Sequence, residues 1–573
     1  MTTKPAVQIT NRFGKSCHFC DIWVAEGAGF AIKETKDSGW VTQCRACNSG
    51  EVPVPEVNTP VLKRPTFPLT SEQTEAVALF EAGESIAIQA GAGTGKTSTL
   101  VAIAKSTSRI GAYVAFNKAI VKDAAIKLAG TNCSAATAHS LAFRQVGKLY
   151  SKRLNAPRQT SADIARRLGI EPFFYTVGGA DKVIQPATLA GYVVNAISAF
   201  CNSDYGRPST KFVRYIDGID LPSDDGYRTH ANNDLVKAYL EGPIKAAWKD
   251  ICDVDGGLRF THDHYLKIWE LGIHGEPVIS GDYILFDEAQ DASPVLISVV
   301  EQQEKQVVYV GDAQQAIYEW RGAINALDNV SAESTCFLTN SFRFGPEIAA
   351  VANKVLGQIP DARLRLTGLG SAGTVEHTAD PDAVLTRTNA GAIRVVLESL
   401  AEGKEVHLVG GGGEVERFAK AARTLIQTGS TDHPELVIFS SWTEVQDYVA
   451  SDPQGTELAL LVKLIDDNGV DAILRAVANT VSEQEADLVV TTAHKSKGRE
   501  WDAVRIYSDF PPNVEDADAD NRLLYVAVTR ARKVLDIESC APAQAIVSGF
   551  SRPGVLDDSF SDTDDRYDFE GEG

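Results

Sequence analysis

The sequence predicts an α/β protein: two parallel-sheet domains built around a phosphate-binding loop, the first interrupted by a helical insertion, preceded by a small cysteine-rich module. Three observations predict it. The Gly-rich stretch Ala90-Gly91-Ala92-Gly93-Thr94-Gly95-Lys96-Thr97 follows the apolar run 85–89 and precedes a helical pattern, so it reads as strand, tight turn and helix N-terminus. A second apolar run, Tyr283-Ile284-Leu285-Phe286, delivers Asp287 and Glu288 to the C-terminal end of a buried strand. Strand and helix signals alternate through both halves of the chain, the pattern of parallel sheets covered by helices.

Taken in order, residues 1–60 form a zinc-binding module and linker. Cys17-x-x-Cys20 and Cys44-x-x-Cys47 lie within one short, weakly apolar segment that needs a staple to fold, and two such pairs match tetrahedral Zn²⁺ ligation by thiolates. The Pro- and Val-rich stretch 51–68 suits an extended linker. Residues 61–144 and 276–335 make the first domain, separated by a mainly helical insertion at 145–275. That insertion carries Lys148, Lys152, Arg153, Arg158, Arg166, Arg167, Lys211 and Arg214, which fit a phosphate-contacting surface and a solvated helical face equally well. Residues 336–550 form the second domain, with a small inserted subdomain around 410–485, and 551–573 form an acidic tail with the composition of a disordered segment.

Composition narrows the function classes. With 573 residues, 44% hydrophobic and 23% charged, the chain can bury several cores. It has no run of about 18 apolar residues and no charged-then-apolar leader, so no membrane partner and a cytoplasmic location are expected. A net charge of −21 would weigh against a polyanionic partner, but the average hides local structure: from Leu556 to Gly573, Asp557, Asp558, Asp562, Asp564, Asp565, Asp568, Glu570 and Glu572 face a single Arg566.

The two strand ends carry the chemistry. Gly91, Gly93 and Gly95 permit a close backbone approach to phosphates, Lys96 would reach the β- and γ-phosphates, and the Thr97 hydroxyl would ligate Mg²⁺. Asp287 would hold the same ion through its water shell, and Glu288 would orient and deprotonate the attacking water. The cofactors expected are therefore ATP and Mg²⁺, with Zn²⁺ in the N-terminal module.

Further strings place the chain beside a known family. Pro68-Leu69-Thr70-Ser71-Glu72-Gln73, Asn117-Lys118-Ala119, Thr137-Ala138-His139-Ser140 and the long string Gly311-Asp312-Ala313-Gln314-Gln315-Ala316-Ile317-Tyr318-Glu319-Trp320-Arg321-Gly322-Ala323 appear in the first half. Asn340-Ser341-Phe342-Arg343, Arg387-Thr388-Asn389, Thr492-Ala493-His494-Lys495-Ser496-Lys497-Gly498-Arg499-Glu500-Trp501 and Leu524-Tyr525-Val526-Ala527-Val528-Thr529-Arg530-Ala531 occupy the second. In content and order they resemble the motifs of superfamily 1 helicases of the UvrD, Rep and PcrA type, over most of residues 68–541.

The resemblance implies two RecA-like domains with one nucleotide site between them. It implies that Gln73 reads the adenine edge, Phe342 stacks on the base, Glu500 contacts the ribose, Gln315 senses the γ-phosphate, and Arg343 and Arg530 clamp it as it leaves. With the loop residues Ala92 and Thr94, Ser98 completes the nucleotide lining, standing where the family often has Arg. DNA contacts are implied for Asn117, Lys118, His139, Tyr318, Trp320, Arg321 and His494, with Trp320 stacking on a base. The short interval between Gly413 and Thr491 draws the likeness toward compact F-box-type and phage helicases.

The implied activity is an ATP-dependent single-stranded-DNA translocase and helicase moving 3′ to 5′, in replication, recombination or repair. Its implied partners are single-stranded and tailed duplex DNA, with a replication or recombination protein reached through the zinc module or the acidic tail. The implied location is a bacterial or phage-infected cytosol, or a nucleus in a eukaryote. Two other readings stand beside it, a translocase that strips proteins from DNA with little unwinding and an ATP-switched loading factor.

Overall fold

The computed structural model describes strands within the first 44 residues, and residues 68–549 apart from 116–117, 155, 158, 217–218, 221–229, 318–326, 328–329, 361, 432, 434, 437–438, 452–456 and 512–516. The chain divides into two compact units, Met1–Pro68 and Leu69–Gly573. In the first, Val7–Thr10, Gly29–Lys33 and Val41–Cys44 form a three-stranded antiparallel sheet in that order, and Lys15–Ser16 pairs with Trp23–Val24. Cys17, Cys20 and Cys47 lie outside the described residues, and of Cys44 the backbone alone is described, at the end of its strand.

The second unit contains two six-stranded sheets, parallel throughout. The first sheet runs Ser334–Leu338, Ile86–Ala90, Gln306–Gly311, Tyr283–Asp287, Gly111–Ala115, Cys133–Thr137. Its central strands are buried on both faces, because successive side chains feed two different cores. Tyr283 and Leu285 pack with Phe80, Leu100 and Ile103 on one side, while Ile284 and Phe286 pack with Trp269 and Leu296 on the other.

The second of these cores is continuous with the insertion. Helices Pro186–Asn202, Ala231–Cys252 and His262–Glu270 supply Leu189, Val193, Leu240 and Trp269 to it, and a two-stranded hairpin, Phe173–Val177 with Ala180–Ile184, lies among them. Within this insertion Arg153 departs from both expectations. It is only 7% exposed, its guanidinium is 3.3 Å from the Asp250 carboxylate, and it donates to the carbonyls of Ile251 and Leu258. Arg167 pairs with the same carboxylate at 2.8 Å. A buried guanidinium needs a carboxylate and several acceptors, and these come from a helix end that is distant in sequence.

The second sheet runs Thr374–Val375, Ala531–Asp536, Trp501–Ile506, Ala383–Thr386, Leu488–Thr492, Val406–Leu408. Between its last two strands in this order the chain forms helices Gly413–Thr428, Trp442–Ser451, Glu457–Asn468 and Val470–Ala478, which pack with helix Asn389–Ala401. Among the described residues no helix is long and apolar enough to cross a membrane.

Candidate nucleotide site

The site grows from the C-terminal ends of three adjacent strands of the first sheet. Ile86–Ala90 leads into the Gly-rich loop, Tyr283–Asp287 ends on the acidic pair, and Gln306–Gly311, ending beside Asp312, lies between them. Gly93 and Gly95 have φ of +75° and +86°, a region where a side chain is strained. A Cβ on Gly93 would also come within 2.5 Å of the Arg343 Cβ. Helix Lys96–Lys105 starts at Gly95 with no side-chain cap, so its first N–H groups point into the cleft unclaimed.

The cleft is a cavity of about 280 Å³ lined by the loop residues Ala92, Gly93, Thr94, Gly95, Lys96, Thr97 and Ser98, by Lys127, Glu288 and Gln315, and from the second domain by Arg343, Lys497, Gly498 and Arg530. Five cationic side chains against one carboxylate, together with an uncapped helix N-terminus, fit a polyphosphate.

Glu288 sits with Oε2 3.6 Å from Lys96 Nζ and takes a hydrogen bond from Gln290. Its backbone is left-handed, with φ of 54°, an unusual conformation for a residue with a side chain. Burial works against its charge, but Lys96 and Lys497 override it and hold the carboxyl below its usual range. Asp287 moves the other way, raised by burial and then by the Glu288 charge. Its two oxygens accept from Tyr113 Oη and from the Glu288 N–H, which fixes the carboxylate plane and leaves lone pairs for a hydrated cation. Thr97 and Asp287 thus suit Mg²⁺ in oxygen type and charge.

The second domain reaches across. Ser341 Oγ donates to the Ala92 carbonyl at 2.8 Å, and the Phe342 N–H donates to the Gly93 carbonyl at 2.9 Å. Phe342 itself is 47% exposed. Arg343 donates to Glu500 Oε2 at 2.7 Å and to the Thr529 carbonyl at 2.9 Å. In this arrangement Glu500 therefore orients the guanidinium. Arg530 is 2% exposed, with Nη2 3.3 Å from Gln315 Oε1, and burial with Arg343 nearby lowers its pKa to about 9.

Gln73 is buried behind the loop, where its Oε1 accepts from the Thr70 N–H and Gln73 N–H donates to Thr70 Oγ1, a capping box that starts helix Ser71–Glu81. A Cβ on Gly95 would meet its Nε2 at 3.0 Å, so the amide abuts the phosphate loop.

Of the residues expected on DNA, Lys118 is exposed at the start of helix Lys118–Lys127. His139 lies with Nε2 3.4 Å from Asp263 Oδ1, and His494 has its pKa lowered to about 4 by burial and by Arg387. Asn117, Tyr318, Trp320 and Arg321 lie outside the described residues.

Sequence reasoning passed over several site residues. Lys497 Nζ donates to Asp291 Oδ1 at 2.7 Å and to the Gln315 carbonyl at 2.6 Å, tying the second domain to the first. The run of Lys495, Lys497 and Gly498 was the available signal. Tyr113, Asp312 and Tyr525 carried none beyond their place in apolar strands and motifs, because their partners lie far away in sequence.

Two six-stranded parallel sheets sharing a cleft of phosphate-binding geometry define a P-loop protein with two RecA-like domains. Family comparison agrees: an AAA domain model matches residues 73–321, and a UvrD-like helicase C-terminal domain model matches 487–535. Both matches, with the relatives that follow, support a UvrD/Rep-like superfamily 1 helicase. The chain is 29% identical over 505 residues to F-box DNA helicase 1 of Gallus gallus, covering 80% of this chain and 47% of that protein. It is likewise 29% identical over 534 residues to F-box DNA helicase protein 1 of Schizosaccharomyces pombe, covering 84% and 58%. DNA helicase IV of Escherichia coli is 26% identical over 309 residues, covering 51% of this chain and 39% of that protein. The chain thus spans about half the length of the relatives it matches.

Proposed function

We propose that this chain is an ATP- and Mg²⁺-dependent DNA helicase that moves 3′ to 5′ along single-stranded DNA and unwinds tailed duplexes. The observation that carries the reading is the shared cleft, in which Arg343, Lys497 and Arg530 of the second domain line the same cavity as Lys96 and Glu288 of the first. Hydrolysis then depends on the domains being together, which couples chemistry to movement.

Lys96 and the uncapped helix N-terminus hold the phosphates of ATP, and Gln73 and Phe342 flank the base. Bound Mg²⁺ neutralises charge on the β- and γ-phosphates. Glu288, kept ionised by Lys96 and Lys497, takes the proton of the attacking water. Arg343 and Arg530 stabilise the charge that spreads over the transferred phosphoryl group. Bases stacking on Trp320, with Asn117, Lys118, His139, Tyr318, Arg321 and His494 along the strand, give a sequence-tolerant grip. The reading is tested by strand displacement on 3′- and 5′-tailed duplexes, and unwinding confined to 5′ tails would overturn the polarity.

The compact helical segment between Gly413 and Ala478 favours a second reading, removal of bound proteins with little unwinding. Clearance of a pre-bound filament without strand separation would select it. In the N-terminal unit, Cys17, Cys20, Cys44 and Cys47 hold one Zn²⁺, and this module or the acidic tail recruits a replication or recombination protein in the cytosol or nucleus. Metal analysis of the purified chain finding less than one zinc per molecule would remove the zinc assignment.

A further inference from the structure

The hydroxyl of Tyr525 has no role among the groups that hold or cleave ATP, and its position is unusual. Tyr525 lies on helix Ala517–Val528 of the second domain and is fully buried. Its ring packs in the second domain's core, yet its oxygen makes both of its hydrogen bonds to the first domain. It accepts from the Ala92 N–H of the phosphate loop at 3.3 Å and donates to Asp312 Oδ2 at 3.1 Å.

Asp312 passes the connection on. Its Oδ2 also accepts from Gln315 Nε2 at 2.7 Å, and Gln315 Oε1 faces Arg530 Nη2 at 3.3 Å. Arg530 comes after the Tyr525 helix within one turn and is anchored to it through the Val526 carbonyl at 2.8 Å. The hydrogen-bonded path therefore leaves the second domain at Tyr525, runs through Asp312 and Gln315, and returns at Arg530. Opening the cleft would break both crossings together, and closing it would restore both.

We infer that Tyr525 is a positioning residue for hydrolysis: its hydroxyl sets the Ala92 peptide and the Asp312 carboxylate in place only when the domains are closed, and through Gln315 it seats Arg530. The inference rests on the proposed ATP-driven function and names a further residue of the same site. A phenylalanine at this position keeps the ring and its packing but removes the bridge, so a role in packing alone predicts no kinetic change.

The test is Tyr525→Phe in the full chain, with steady-state ATP hydrolysis at saturating single-stranded DNA, the KM for ATP, binding of a fluorescent ADP analogue with Mg²⁺, and the Tm. The expected result is a kcat lowered about tenfold, equivalent to about 1.4 kcal/mol of transition-state stabilisation, with KM and ADP affinity within about twofold of wild type. An unchanged kcat overturns the inference, as does a proportionate loss of ADP affinity, which would make the residue part of ground-state binding. If Tyr525→Phe is poorly folded, Asp312→Asn tests the same bridge from the other side. It too must lower kcat with ADP affinity kept, and an unchanged kcat there is equally fatal. Wild-type protein without DNA-stimulated hydrolysis would instead count against the functional reading itself, so the two failures are distinguishable.

Discussion

Each of the two sheets ends one of its strands in a Gly-rich turn that enters a helix, and the two turns differ in what they enclose. The turn at 91–95 opens into a cavity of about 280 Å³, whereas the turn at 410–413 borders one of about 10 Å³. Both contain left-handed glycines, Gly93 and Gly95 in one, Gly410 and Gly411 in the other. The helices they enter separate the two. The first turn runs into Lys96 and Thr97, but helix Gly413–Thr428 has Glu414 and Glu416 in its first turn, acids that already complement the helix dipole and would repel a phosphate. Val477 fills the remaining space, since a Cβ on Gly412 would meet its methyls at 2.6 Å, and Lys495 donates instead to Asn389 at 3.1 Å. Glycine content makes a tight turn; cations at the helix start and empty space beside it make an anion site.

The comparison can be broken or sharpened by substitution. The largest effect is expected from Arg343→Ala, which removes one of the three second-domain cations, Arg343, Lys497 and Arg530, that line the larger cavity. DNA-stimulated kcat should fall on the order of 10³-fold, and a drop below tenfold would mean that the second domain merely covers the site. Glu288→Gln should lower kcat by at least about 10²-fold while leaving nucleotide affinity near wild type, measured by fluorescent-nucleotide titration.

A matched pair of alanines then contrasts the turns directly. Gly93→Ala adds a methyl where the Arg343 Cβ stands and should raise the KM for ATP about tenfold or more, from the strain and the clash together. At Gly411 a Cβ meets nothing within 4 Å but φ is +66°, so Gly411→Ala should cost about 1–2 kcal/mol of stability in denaturant melts and leave the KM unchanged. Equal kinetic effects from the two would erase the distinction.

The smallest effect is a pH dependence. The His494 pKa is depressed to about 4 by burial and by Arg387, so the unfolded chain binds its proton first on acidification. The stability it contributes is complete above its ordinary pKa near 6.5 and is lost as pH falls toward 4. His494→Gln should flatten the melting temperature over that window, and an unchanged slope would reassign the acid sensitivity.

Much of this contrast was legible in the residues. A Gly-rich loop ending in Lys-Thr, and a buried strand ending in Asp-Glu, carry their chemistry in adjacent residues, so the first turn could be read without its surroundings. The sparse interior of the second turn could not, because Val477 and Lys495 arrive from elsewhere in the chain. Arg153 misled for the same reason: a cation reads as a surface group until Asp250 is brought beside it. Tyr113 and Tyr525 were invisible as site residues because an aromatic in a strand and a tyrosine on an apolar helix both have ordinary structural explanations. Only tertiary pairing assigns them to the nucleotide cleft.

The order of strands in the first sheet also has a consequence for biosynthesis. Ile86–Ala90, which carries the phosphate loop, hydrogen-bonds on one side to Gln306–Gly311 and on the other to Ser334–Leu338, and the loop's Gly91 N–H donates to the Leu338 carbonyl. Neither neighbour exists when the loop leaves the ribosome. The strand must wait through synthesis of the entire insertion, a delay of roughly 10–50 s at about 5–20 residues per second, with an apolar edge on each side unpaired. Ribosome-bound chains that stop short of Ser334 would lack one wall of the sheet, making the nucleotide site among the last parts of its own domain to form.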